Sequence, residues 1–312
     1  MSAGSDVRAA ERRLSAPAAP RSDLPAEENV LEVLFEGPSV RLAAWRCPVR
    51  EREWSDERIQ SVDSVAFPRD VPFAIHSEGE SVVADRSAVL LHSAGVPYRT
   101  SHPFGTGDRG LVLTPLAGSV ADRGFRGPAV SGARPLHVLR SPRAQLLQEV
   151  LFRRATPDEP EAVEELSRQL LAETSRCARG ALGPRSRRLK TAVERVRARL
   201  GRDLKTKVRL AELAGEVGYS PFHVARVFRR ITGVSIRRYR LRARLFAALP
   251  RILERRSDIM EIALDLGFSS HSHLTAAFRD EFGLSPSDLR LLVREESLGA
   301  IAARLRPASR GC

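Results

Sequence analysis

The first readable pattern begins near residue 29, where short β-prone runs alternate with turn residues. ValLeuGluValLeuPhe (30–35), ValArgLeuAlaAlaTrp (40–45), SerValValAla (81–84), AlaValLeuLeuHis (88–92) and LeuValLeuThr (111–114) are cut by Gly37-Pro38, Gly79, Gly95, Pro97, Gly105 and Gly107. Short apolar runs at this spacing predict a small antiparallel β barrel or sandwich over 28–130. From about 136 the period becomes helical. Leu139, Leu146, Leu147, Val150 and Leu151 fall on one face, and Val163, Leu166, Leu170 and Leu171 do so after the loop at 152–160. These helices, within 131–178, are expected either to pack on the β domain or to present Leu146, Val150, Leu166 and Leu170 to a second copy of the chain. Residues 1–27, rich in Ala, Pro, Ser and charge, read as a disordered tail. The Gly- and Arg-rich stretch 179–186 reads as a linker, 187–295 as an all-α domain, and 296–312 as a loose tail.

The helical C-terminal portion repeats itself. With an offset of 49, Leu210–Ser220 lies over Ile259–Ser269; after one inserted residue, Val224, Phe228, Arg229, Gly233 and Ser235 meet Leu274, Phe278, Arg279, Gly283 and Ser285. Each copy predicts a short helix with apolar Leu210, Leu213, Ala214 and Val217 (or their counterparts), then Gly218 or Gly267 where left-handed backbone ends it. Ser220 or Ser269 is placed near the start of a second helix, with Pro221 suited to its first turn. That second helix buries Val224, Val227 and Phe228, or Leu274, Ala277 and Phe278. Helix, turn and helix of this size predict two helix-turn-helix units.

Residues 236–249 join them as a helix roughly 20 Å long, with a kink expected at Pro250. With its turns it would set the recognition helices about one DNA turn (~34 Å) apart. Upstream, 187–200 predicts an amphipathic helix whose Leu189, Val193, Val196 and Leu200 cover the first unit.

Charge separates the two portions. The 312 residues carry 51 Lys+Arg against 38 Asp+Glu, a net of +13. Residues 185–312 hold 28 basic and 13 acidic side chains, while 1–184 hold 23 and 25. A near-neutral half joined to a strongly basic one points to a polyanion partner. No apolar run reaches the ~18 residues of a membrane span and no signal-peptide core opens the chain, so neither a membrane protein nor a secreted one is expected. Three distant cysteines (Cys47, Cys177, Cys312) fit neither a disulfide framework nor a CxxC metal site. A reducing cytoplasm is the expected compartment.

The paired signatures GlyTyrSerProPheHisValAlaArgValPheArgArgIleThrGlyValSer (218–235) and AlaLeuAspLeuGlyPheSerSerHisSerHisLeuThrAlaAlaPheArgAspGluPheGlyLeuSerPro (263–286) resemble the DNA-binding domain of AraC/XylS-type transcription regulators. The resemblance covers about 187–292. It implies seven helices, two helix-turn-helix units on successive major-groove faces, and an α+β chain with a cupin-like N-terminal β barrel plus helices that binds an effector or mediates dimerisation. By position it assigns base reading to Phe222, Ala225 and Arg226 in the first unit and to His271, Ser272, Thr275 and Ala276 in the second, with His223 beside them. Arg226 suits bidentate contact with guanine, and Arg229, Arg230 and Arg279 suit phosphate. Two positions depart from the family: Ile236 replaces a common proline, and Ala276 stands where many members carry arginine, which moves the second unit toward phosphate holding.

The implied protein is a sequence-specific, DNA-binding transcription regulator, an activator as the working expectation and not an enzyme. Double-stranded DNA is its partner; RNA polymerase, a small-molecule effector and a second copy are the further candidates. No cofactor and no metal are assigned. His76, His92 and His102 with Asp85 and Glu78 or Glu80 lack the His-x-His pattern of a cupin metal site, and Trp45, Phe67, Phe73, Tyr98 and Phe104 read as core. Two alternatives stand beside this one. A non-specific nucleoid protein would explain the charge, and a DNA-repair methyl acceptor would use Cys47, although that chemistry needs a cluster of activating cysteines.

Overall fold

The computed structural model describes residues 30–49, 52–69, 72–103, 105, 107–116, 118, 137–180, 187–254 and 257–306. The expected tail at 1–27, most of the linker at 179–186 and Phe104 lie outside them.

Ten strands build two antiparallel sheets. They are β1 (Val30–Glu36), β2 (Val40–Cys47), β3 (Arg58–Ile59), β4 (Ser64–Pro68), β5 (Phe73–Ser77), β6 (Glu80–Ala84), β7 (Ala88–His92), β8 (Pro97–Ser101), β9 (Asp108–Pro115) and β10 (His137–Leu139). One sheet runs β1-β2-β9-β4-β7-β10 and the other β3-β8-β5-β6. β4 is buried along its whole length, because its sheet is covered on both faces. Ala66 and Leu90 pack with Phe73, Ile75 and Val82 between the sheets. Val65, Phe67, Val89, Leu91, Leu111 and Leu113 face the helices. Two-sided cover explains why these strands read as continuous apolar runs and do not alternate.

Helices α1 (Pro142–Arg154) and α2 (Pro160–Gly180) lie on that outer face. The helical texture expected from about 136 is corrected here: His137–Leu139 pairs with Ala88–Leu90 as a strand, and the helix starts only at Ser141, whose hydroxyl accepts from Ala144 N–H. Pro142 then fits the first turn. Leu146, Val150, Leu166 and Leu170 are fully or nearly buried within the chain. They serve packing, and the dimerisation face expected from them is already covered.

The C-terminal portion contains α3 (Arg187–Arg202), α4 (Leu210–Val217), α5 (Pro221–Thr232), α6 (Ile236–Glu254), α7 (Ile259–Asp265), α8 (His271–Phe282), α9 (Pro286–Glu295) and α10 (Leu298–Arg304). The last is a second correction, since 296–312 read as a loose tail. Ser297 caps α10, and Leu298, Ile301 and Ala302 share one side and bury it, with α2 among the neighbours. Pro250 sits inside α6 and does not end it; its carbonyl accepts from Arg153 at 3.0 Å.

The two helix-turn-helix units are attached differently. Val193, Val196, Leu200, Leu213, Ala214, Val224, Val227, Phe228 and Tyr239 form a separate core for the first. The second shares one apolar cluster with the β sheet, α1, α2 and α10, through Ile262, Ala263, Leu274, Ala277, Phe278, Leu289 and Ile301.

Candidate nucleic-acid interface

The second helix of each unit, α5 and α8, begins where local chemistry directs. Gly218 ends α4 in left-handed backbone at φ 73°. Ser220 then caps α5 by accepting from His223 N–H at 3.3 Å, and Gly233 closes the helix at φ 76°. In the second copy the cap moves by one. Ser270, not Ser269, accepts from His273 N–H at 3.1 Å, because the inserted residue lengthens the turn, while Ser269 Oγ bonds His273 Nδ1 at 3.0 Å. Gly267 has φ 76° and sits where a Cβ would come 2.9 Å from the Lys205 carbonyl, so two independent constraints require glycine there.

Both helices bury the residues expected of them and leave the other face open. On α5, Phe222, Arg226, Arg229 and Arg230 are exposed, while His223 and Ala225 are half-buried. Phe222 is 76% exposed, with the Arg226 guanidinium 6.0 Å from its ring centre. His223 stacks on Tyr219 at 4.9 Å, so its ring works as packing. On α8, His271, Ser272, Ala276 and Arg279 are exposed and Thr275 is half-buried. The two faces are equivalent under the repeat. Each exposes a row of side chains starting in its first turn.

The helix-turn-helix domain family model matches residues 186–291. Regulatory protein SoxS of Salmonella typhimurium is 35% identical over 78 residues, 25% of this chain and 73% of its own length. The probable transcription factor PqrA of Proteus vulgaris is 31% identical over 83 residues, 27% of this chain and 68% of its own. The chain belongs to the AraC-type family of helix-turn-helix transcription regulators. The HTH-type transcriptional activator AarP of Providencia stuartii is 32% identical over 89 residues, 28% of this chain and 66% of its own length. The family model's span takes in all of α4 to α8, the part that makes the chain an AraC-type regulator. Its relatives are named as regulators of transcription and not as enzymes. Among the described residues no helix is long and apolar enough to cross a membrane.

Much of this AraC-type domain's basic charge is spent internally. Arg238 and Arg242, on the connector α6, both pair with Glu281 of α8 at 2.5 Å. Arg244 donates to the Leu204 carbonyl at 2.7 Å and Arg251 pairs with Asp265 at 2.7 Å. Among the described residues Arg226, Arg229, Arg230 and Arg279 make no ion pair and remain exposed. Arginine count alone therefore overstates the charge available to a partner, and only tertiary pairing separates the two sets.

Among the described residues His76, His92, Glu80 and Asp85 do not gather into one ligand set. His76 meets Ser81 Oγ at 2.7 Å. His92 packs on Tyr98 at 4.8 Å, and burial pushes its pKa down to about 4. Glu80 pairs with Lys190 of α3 at 2.6 Å. Asp85 belongs to a buried network joining the two halves. Ser87 Oγ and Tyr239 OH lie 2.8 Å apart, Arg197 sits 3.6 Å from Asp85 and 2.8 Å from Glu194, and His137 is 3.4 Å from Glu194. Sequence spacing has no signal for this network, because its members come from β10, α3, α6 and the turn before β7.

Proposed function

We propose that the protein is a sequence-specific regulator that reads two successive major-groove faces of double-stranded DNA with α5 and α8. The carrying observation is the pair of equivalent faces, each exposed from the first turn and lacking internal ion pairs, on helices packed into the chain by apolar residues. Phe222, Ala225 and Arg226 are the base-reading set of α5, with Arg226 reading guanine; Arg229, Arg230 and Arg279 hold phosphate. His271, Ser272, Thr275 and Ala276 form the second set, in which the short Ser272, Thr275 and Ala276 allow close approach to the backbone. His223 supports Tyr219 and the entry of α5.

In this reading residues 187–295 bind DNA and 28–130 form the regulatory part, with a small-molecule effector as its ligand class. Activation through RNA polymerase is the proposed outcome, supported by the activator named among the relatives. Genomic footprinting with purified protein supplies the test. The cognate site should bind at least ~10³-fold more tightly than random DNA at physiological salt, with affinity falling steeply as salt rises. Equal binding to all sequences would favour the nucleoid-protein reading.

A further inference from the structure

Cys47 ends β2 and Asp108 opens β9, and the two are direct partners in the antiparallel ladder. Opposed residues of such a pair project to the same face, and both side chains are buried. His102 follows β8, and the return to β9 passes Gly105 and Gly107. A Cβ at Gly107 would fall 2.1 Å from the Cys47 carbonyl, so glycine lets this loop press against the end of β2. The fold thereby brings a thiol, an imidazole and a carboxylate together, with one donor atom of each within 4.8 Å of the others.

We propose that Cys47, His102 and Asp108 form a binding site for a zinc-class divalent ion. The donor set is the borderline S, N and O mixture that zinc accepts, and three protein donors leave one tetrahedral position for water or a small ligand. The surrounding residues hold the donors in place. Trp45 Nε1 donates to Asp108 Oδ1 at 2.5 Å, which leaves Oδ2 turned toward His102 at 2.5 Å. The Trp45 ring in turn lies over Gly110, where a Cβ would come 2.2 Å from it. Phe73, with its ring 6.2 Å from that of His102, closes the apolar side. Carboxylate orientation by an outer hydrogen bond and an apolar wall are the usual supports of such sites.

A divalent ion held by one thiolate, one carboxylate and a neutral imidazole would leave the buried site without net charge.

The test uses the full chain with Cys177→Ser and Cys312→Ser, stripped with chelator and titrated with cobalt(II). One cobalt per chain should bind, with tetrahedral visible bands and a thiolate-to-cobalt charge-transfer band, all bleached by one equivalent of zinc. Cys47→Ser should lose the charge-transfer band with unchanged far-ultraviolet circular dichroism, and Asp108→Asn should weaken cobalt binding at least ~10-fold. Zinc-edge X-ray absorption of the zinc-loaded chain with Cys47 intact needs no site variant and should show one sulfur beside nitrogen and oxygen, at about 2.0–2.3 Å. Absence of stoichiometric cobalt or zinc, a charge-transfer band that survives Cys47→Ser, or a shell without sulfur would each overturn the site.

Discussion

Tyr239, on the helix that connects the two helix-turn-helix units, places its hydroxyl 2.8 Å from Ser87 Oγ in the turn before β7. The contact links residues 152 positions apart and lies at the centre of a buried polar cluster that joins the β-rich half to the core of the first unit. Arg197 Nε donates to the same hydroxyl at 3.3 Å, and Asp85 stands 3.4 Å away. The Tyr239 ring packs edge-on against Phe228 of α5 at 5.4 Å. One side chain thus touches both the β-rich half and the apolar core beneath α5.

Removing that hydroxyl should loosen the joint without emptying the core. Tyr239→Phe leaves Arg197 and Ser87 short of a buried partner, at a cost of about 1–3 kcal/mol. Ser87→Ala should cost less, and the double variant should depart from additivity by at least about 0.5 kcal/mol. Urea unfolding of the four proteins checks this, and strict additivity would show that the two hydroxyls act independently.

Glu194 ties the same cluster to acid stability. Burial would raise its pKa above the ordinary 4.5, but Arg197 and His137 overcome that and hold it at about 2. The folded pKa is depressed, so this stabilisation is complete above pH 4.5 and is lost as pH falls toward 2. Glu194→Gln should therefore destabilise the neutral protein by about 3 kcal/mol. Its gap from the parent chain should narrow between these two pH values in thermal or urea unfolding. A gap of constant size would remove Glu194 from the cause of acid sensitivity.

Arg226 and Arg279 test the proposed division between base reading and phosphate holding. Arg226 lies one turn after Phe222 near the start of α5, whereas Arg279 follows buried Phe278 in the last turn of α8. Arg226→Ala should cost about 1–3 kcal/mol on the cognate site and relax preference at one base pair. Arg279→Ala should weaken all sequences alike and lower the salt slope by about one unit. Equal, sequence-independent losses for both would refute the reading of Arg226.

Glu281 is expected to matter for DNA binding without touching DNA. Its side chain is 2% exposed between Arg238 and Arg242, and it fixes α8 against the connector. Glu281→Gln should lower stability by about 1–3 kcal/mol and reduce affinity for the cognate site at unchanged sequence preference. Fluorescence anisotropy on cognate and altered sites measures the second effect; a changed preference would place Glu281 in readout.

Local chemistry was legible in the sequence and long-range pairing was not. The two repeat copies, the glycines at 218, 233, 267 and 283, the serine cap of α5 and the buried faces of α5 and α8 all depend on residues within a few positions of one another. Helical period and turn preference suffice to place them. Texture alone misread Leu139 as helical and the segment from 296 as loose, because each is decided by a partner: Val89 and its neighbours for β10, and the apolar cover that α2 provides for Leu298 and Ile301. The same reason hid the division between arginines that brace α6 and arginines left for a ligand, since Glu281 lies 39 residues from Arg242. It also hid the meeting of Cys47, His102 and Asp108. A sheet register and a glycine-bearing return bring these three together, and no spacing along the chain encodes a contact that exists only once two sheets have closed.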